Sequence, residues 1–334
     1  MSAMGDRPGA RTIALLALKM AASVALMVFL FRRIPIDQVA DAVRAADPRW
    51  LLAAGGLLVL SNLIGSFQWS QLLHAIEIRI PFWKVCSYYH VGLFFNNFLP
   101  ANVGGDLARV WDASRYSQTR TAALSTVLLD RMIGTVALAA LSLLTTLPAI
   151  DRFHLTLVYL SLVAFFVLSV SALWAVLHPR TLAAVERVLA RIGLGRLKPH
   201  LDSLSDSLAA FRGQRRLLLT LLLVATVVQV MRIGVHVLVS RALGLTIPLP
   251  YFFLFVPLLA VIVSLPISLN GIGVREGAGV VLFGMVGVAR AHAFSLQFTT
   301  YLVAVAVSLL GGVIFLVRIP HRRSESRQTG RATE

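Results

Sequence analysis

LPISLNGIGVREG, residues 265–277, stands between two apolar runs, following a long one and leading into AGVVLFGMVGV at 278–288. Its thirteen residues include Pro266, Asn270, three glycines and the adjacent pair Arg275-Glu276. A helix that crosses lipid must satisfy its backbone groups internally, and proline, glycine and charge all work against that. Residues 251–288 are therefore read as a broken helix, interrupted from Pro266 to Gly273, rather than as one continuous span.

Composition puts this break inside a membrane protein. The chain has 334 residues, 57% of them hydrophobic and 14% charged, with a mean hydropathy of +0.80. Soluble domains carry roughly 25% charged residues. The fold class expected is all-α and polytopic, a single transmembrane domain over residues 1–318. Spanning takes about 20 apolar residues, and six segments qualify: 13–31, 50–72, 121–147, 155–177, 217–240 and 293–317. The first lacks a small-residue cleavage site after it and is too long for a signal peptide, so it reads as a retained helix. Two more segments, 82–113 and 251–288, are apolar but interrupted, and each is expected to be a broken, re-entrant helical hairpin.

The net charge of +16 does not point to nucleic acid, because the basic residues sit between apolar spans rather than on a soluble face. They follow the positive-inside rule instead. With both interrupted segments treated as hairpins, 20 lysines and arginines fall in loops 1–12, 73–120, 178–216 and 318–334, against 7 in loops 32–49, 148–154 and 241–292 with Arg275 inside the second hairpin left out. The expectation is an inner-membrane protein with both termini in the cytoplasm. Residues 178–216 read as a cytoplasmic, basic, amphipathic connector, and 319–334 as a disordered cytoplasmic tail. The single Cys86 and the scattered histidines offer no metal pattern, and no nucleotide-binding motif occurs. No cofactor and no metal are expected.

The first interrupted segment repeats features of the second. It reads Leu99, Pro100, Asn102, Gly104, Gly105, Asp106, Arg109, where the second has Leu265, Pro266, Asn270, Gly271, Gly273, Arg275, Glu276. Each runs Leu-Pro, then Asn, then a glycine, then one acid and one arginine. Broken apolar segments at corresponding places in two halves point to a transporter site and suggest an inverted repeat. Where a helix restarts, its free N–H groups and dipole favour an anion, phosphate above all. Arg109 and Arg275 would add forked hydrogen bonds to phosphate oxygens. Asp106 and Glu276 are expected to hold those arginines when the site is empty, and the two clusters to converge near mid-membrane. The alternative is that these ion pairs only knit the hairpins to their neighbours.

NNFLPANVGGDLARVWDASR, from Asn96, with TAALSTVLLDRMIG behind it, and LPISLNGIGVREGA together resemble the signature regions of the flippase-like integral membrane family. That family includes the transmembrane region of lysylphosphatidylglycerol synthases, and the likeness runs over roughly residues 12 to 318. It implies a multi-pass protein that moves a charged lipid between leaflets. It also carries over the motif residues Asn96, Asn97, Pro100, Gly104, Gly105, Asp106, Arg109, Asp130 and Arg131, then Asn270, Gly271, Gly273, Arg275 and Glu276. The bifunctional synthases continue into a soluble aminoacyl-transfer domain, whereas this sequence stops at Glu334, so synthesis is not expected of it.

Asp130 and Arg131 fall on neighbouring positions of one apolar helix and point about 100° apart. Asp130 is assigned a structural pairing with a hairpin arginine, and Arg131 a pairing with Asp106 or a phosphate. Arg232 and Lys19 are read as packing or cavity-lining charges. Three functions remain open at this point: a flippase for an anionic phospho- or glycolipid, not itself an enzyme; a membrane enzyme acting on lipid phosphates through Asp106, Asp130 and Glu276; and a non-catalytic subunit supporting a lipid-linked glycosyltransferase or synthase. The first is preferred, with a separate lipid-modifying enzyme as a partner.

Overall fold

The computed structural model describes residues 36–98, 104–146, 156–178, 198–264 and 271–331, together with 180, 181, 184, 186 and 187. The described residues form eleven α-helices and one short 3-10 turn, Ser114–Tyr116. In chain order the helices are α1 Ile36–Arg44, α2 Pro48–Ala75, α3 Phe82–Phe98, α4 Gly104–Ala113, α5 Arg120–Thr146, α6 Thr156–Leu177, α7 Lys198–Ala209, α8 Arg215–Ala242, α9 Leu249–Ser264, α10 Val274–Gly284 and α11 Arg290–Arg331.

Five of these are long and apolar enough to cross a membrane: α2, α5, α6, α8 and the stretch Arg290–Arg318 of α11. They match five of the six spans expected from hydropathy, and the sixth, 13–31, lies outside the described residues. The protein is an all-α, multi-pass membrane protein. Its side chains are distributed as lipid demands. Leu52, Trp83, Leu168 and Leu223 are largely exposed, whereas Gln68, Asp130, Gln229 and Gln297 are buried. Hydroxyls inside the spans fold back onto their own helices, as Ser66 does onto the Asn62 carbonyl and Ser142 onto that of Leu138. Such bonds satisfy a polar group where water is absent. Local signals set the start of α2: Asp47 accepts from the Arg49 N–H at 2.8 Å, and Pro48 takes the first helical position.

Both interrupted segments are indeed two helices each. α3 stops at Phe98 and α4 begins at Gly104; α9 stops at Ser264 and α10 begins at Val274. Pro100 and Asn102 in the first break, and Pro266 and Asn270 in the second, lie outside the described residues.

Around these breaks the packing is mutual. α8 lies along α2, α11 along α3, α5 meets α6, α8 and α9, and α10 rests on α9 and α11. Phe252 and Phe255 of α9 meet Phe283 of α10, tilted and edge-to-face respectively, in the largest apolar cluster among the described residues. The connector 178–216 is more than a surface helix, since Leu208 and Phe211 are fully buried against Leu129, Ile133 and Leu221. The C-terminal segment departs from expectation as well: α11 keeps helical geometry through Arg331, into the stretch whose composition reads as disordered. A helix already formed extends without a new nucleation cost, and that favours its continuation over coil.

The α3–α11 contact depends on a missing side chain. A Cβ at Gly311 would collide with the carbonyl of His90, while the next residue, Gly312, meets the Phe94 ring. Small residues at such crossings let helix backbones approach closely. Gly311→Ala should therefore cost roughly 1–3 kcal/mol through overpacking. Thermal unfolding in detergent measures it, and an unchanged midpoint would show that the two helices can part at no cost.

Candidate functional site

Arg109, on α4, is the centre of a buried charge network. Its Nη2 donates to Asp130 Oδ2 at 2.7 Å, and its Nη1 lies 3.9 Å from Asp106 Oδ1. The guanidinium sits between two aromatic faces, 4.2 Å from the Trp69 ring centre and 4.6 Å from that of Tyr89. Gln68 Nε2 donates to the other oxygen of Asp130 at 2.9 Å, and Trp69 Nε1 donates to Thr126 Oγ1 at 3.0 Å. Asp106 also pairs with Arg131 through its second oxygen. Residues from α2, α3, α4 and α5 are thereby tied to one cation.

The sequence builds this placement by joining α4 tightly to α3. Asn96 Oδ1 accepts from the Gly105 N–H at 2.9 Å, so the last turn of α3 caps the restarted helix. Any side chain at Gly105 would run into the Gly92 carbonyl and the Asn96 amide, and one at Gly92 would meet Arg109. Gly104 opens α4, and Asn97 sits half-buried beside the cap.

A cavity of about 380 Å³ opens onto this network. Its lining includes Asn96, Asp106, Arg109, Asp130 and Arg131, joined by Gln68, Tyr89, Gln229 and Arg232. The last four were not singled out as binding residues by sequence. Arg232 carried the clearest signal, a charge in the middle of a span, but its neighbours were not readable. In the structure its Nη2 lies 3.4 Å from the Tyr89 hydroxyl. Arg131 is half-exposed, and it faces the cavity from α5.

The second break is built differently. Gly271 and Gly273 have φ values of 75° and 80°, which L-residues rarely adopt. The Gly273 N–H donates to Glu276 Oε2 at 2.7 Å, so Glu276 caps its own helix and is 1% exposed. Glu276 acts on Arg275 only through space, and no ion pair within hydrogen-bond reach joins them among the described residues. Consecutive helical residues face apart, and Arg275 lies instead over the Tyr301 ring of α11, 4.6 Å from its centre. Nor is the start of α10 an empty anion cradle, because the Glu276 carboxylate already supplies the negative group that the helix N-terminus favours. Gly271, Gly273, Arg275 and Glu276 are not part of the cavity lining. The expected convergence at Asn102 and Asn270 falls outside the described residues.

Among the described residues no cluster of His, Cys, Asp and Glu has the arrangement of a metal site. The site is an intramembrane cavity walled by arginine–carboxylate pairs, in a protein of the polytopic α-helical class. The chain belongs to the family described as the lysylphosphatidylglycerol synthase transmembrane region, whose model matches residues 16–320. A UPF0104 membrane protein of Pyrococcus horikoshii is 24% identical over 321 residues, covering 88% of this chain and 94% of that protein. Another, from Methanothermobacter thermautotrophicus, is 28% identical over 144 residues, 42% of this chain and 43% of its own.

Removing one partner of a buried ion pair strands the other charge. Asp130→Ala should lower stability by roughly 3–5 kcal/mol, whereas Arg109→Met combined with Asp130→Leu should restore most of it. Thermal unfolding of both variants in detergent makes the comparison. Equal losses would mean that packing rather than unpaired charge sets the cost.

Proposed function

We propose that the protein moves an anionic phospholipid between the leaflets of the cell membrane, its headgroup entering the cavity while the acyl chains stay in lipid. The observation that carries this reading is the charge of the cavity wall. Three arginines, Arg109, Arg131 and Arg232, face two carboxylates, Asp106 and Asp130. One positive charge is left over in a place where charge is costly and usually serves a substrate path. Its volume of about 380 Å³ suits a headgroup, since small-molecule pockets run from roughly 300 to 1,000 Å³.

On this reading the two broken segments are re-entrant hairpins opening to opposite sides, with both termini and the basic connector in the cytoplasm. Arg109 is fixed by its carboxylates and rings, so it shapes the wall and keeps it positive. Arg131, half-exposed, receives phosphate at the mouth. A separate enzyme would make or consume the lipid. A hydrolase using Mg²⁺ is less well supported, because Asp106 and Asp130 are both engaged by arginines.

Purified protein in liposomes with a fluorescent phosphatidylglycerol tests the proposal. Dithionite added outside should quench label beyond the outer-leaflet share, and Arg131→Gln should slow that quenching about tenfold, equivalent to roughly 1.4 kcal/mol of barrier. Chemical change of the lipid would instead indicate an enzyme. No exchange until a partner enzyme is added would indicate a supporting subunit.

A further inference from the structure

We propose that the recess at the start of α5, lined by Arg115 and Arg120, is a surface station that captures the headgroup of an anionic phospholipid and supplies it to the cavity deeper in the membrane. This rests on the transport reading above, on which the recess faces the cytoplasmic leaflet. The recess has a volume of about 310 Å³ and is lined by Trp111, Ser114, Arg115, Ser117, Gln118 and Arg120. The segment 114–120 reads SRYSQTR, with two arginines and no acid. Asp112, the acid that precedes it, is buried and paired with Arg318. Lys84 Nζ donates to the Tyr116 hydroxyl at 3.2 Å, so a third cation stands beside the segment.

The lining hydroxyls are spent locally, Ser114 donating to the Trp111 carbonyl and Ser117 to that of Thr119. The two guanidinium groups are therefore the charged donors that face a ligand, and both arginines are exposed. Arg120 lies over the Trp111 ring, 4.9 Å from its centre. An indole face orients a guanidinium without neutralising it. Tryptophan is also a residue of the membrane–water boundary, where phospholipid phosphates lie.

α4 and α5 lie side by side and place this recess in line with the cavity. Arg120 over Trp111 ties the two helices at the surface, and Arg131 with Asp106 ties them further in. Arg131 follows Arg120 by eleven residues in one continuous helix. At 1.5 Å and 100° per residue, this is about 16 Å along the axis with only about 20° of net rotation. Both arginines therefore share one face of α5. Their separation is close to the hydrocarbon depth of a single leaflet, half of about 30 Å. Between them that face exposes Leu124, and the neighbouring α4 exposes Leu107 and Trp111. A phospholipid with its phosphate at Arg115 and Arg120 lays its chains on these apolar residues. Arg131, at the cavity mouth, stands where the headgroup goes next.

The test uses the full-length protein in liposomes, with fluorescent phosphatidylglycerol diluted into phosphatidylcholine over a range of mole fractions. Arg115→Gln combined with Arg120→Gln should raise the half-saturating fraction about tenfold, while the saturated exchange rate and the thermal midpoint in detergent stay unchanged. Arg115→Lys combined with Arg120→Lys should stay within about threefold of wild type, because charge at the surface makes the capture. A photoactivatable phosphatidylglycerol reads occupancy independently of exchange. It should label the peptide 111–120, and the Gln variant should lose the label. An unchanged half-saturating fraction in the Gln variant would overturn the station and leave transport intact. A lower saturated rate at unchanged half-saturation would overturn it too, by placing these arginines in the translocation step or the fold. Equal labelling by a photoactivatable phosphatidylcholine, or loss of the label to excess inorganic phosphate at constant ionic strength, would likewise rule out an anionic lipid as the occupant. Labelling that needs both arginines, in a wild-type protein that exchanges no lipid, would keep the headgroup site and sink the transport reading.

Discussion

The structure turns on the pairing of Arg109 with Asp130 inside a membrane-embedded bundle. Neither charge could be there alone, since desolvating an ion is costly and lipid supplies no water to offset it. Once paired, they fix four helices at once. Trp69 and Gln68 come from α2, Tyr89 from α3, Arg109 from α4 and Asp130 from α5. The close approach of α4 to α3 at Gly105 and Gly92 exists to bring Arg109 to that point. The cavity is what remains where the network faces inward and the helices do not meet.

The two breaks resemble each other in sequence, yet they solve different local problems. In the first, a side chain from the preceding helix, Asn96, caps the restarted one, and the acid that follows is left to bridge two arginines. In the second, two glycines with positive φ precede the restarted helix, and the acid caps its own helix. The consequence is electrical. The first break ties one carboxylate, Asp106, to two arginines, whereas in the second Arg275 rests over the Tyr301 ring and Glu276 acts on it only through space.

Much of this was legible in the amino-acid order, and the limits have physical causes. Spans such as α2 and α8 stand out because lipid tolerates only long apolar helices, so hydropathy alone locates them. Pro100, Pro266 and the nearby glycines mark where helices end for reasons internal to the chain. Partners are another matter. That Asp130 needs a cation could be inferred from its apolar surroundings, but the choice of Arg109, 21 residues away, depends on how α4 folds back. Glu276 misleads because adjacency in sequence suggests that its carboxylate is there for Arg275, whereas it accepts from the Gly273 N–H and caps its own helix. Gln68, Tyr89 and Gln229 look like ordinary polar residues in apolar helices until the fold brings them to one cavity, and Arg232 acquires meaning only as a third arginine in its wall. The connector's buried Leu208 and Phe211 were hidden by its overall basic character.

A cavity that selects a phosphate-bearing lipid should keep one when the protein leaves the membrane. Native mass spectrometry of protein released from gentle detergent or nanodiscs, with fragmentation of whatever lipid remains bound, tests this most directly. The account predicts a retained phospholipid of net negative charge, enriched over its share of the surrounding membrane and lost from Arg232→Gln. Bound lipid that mirrors the bulk membrane, unchanged by that substitution, would contradict it.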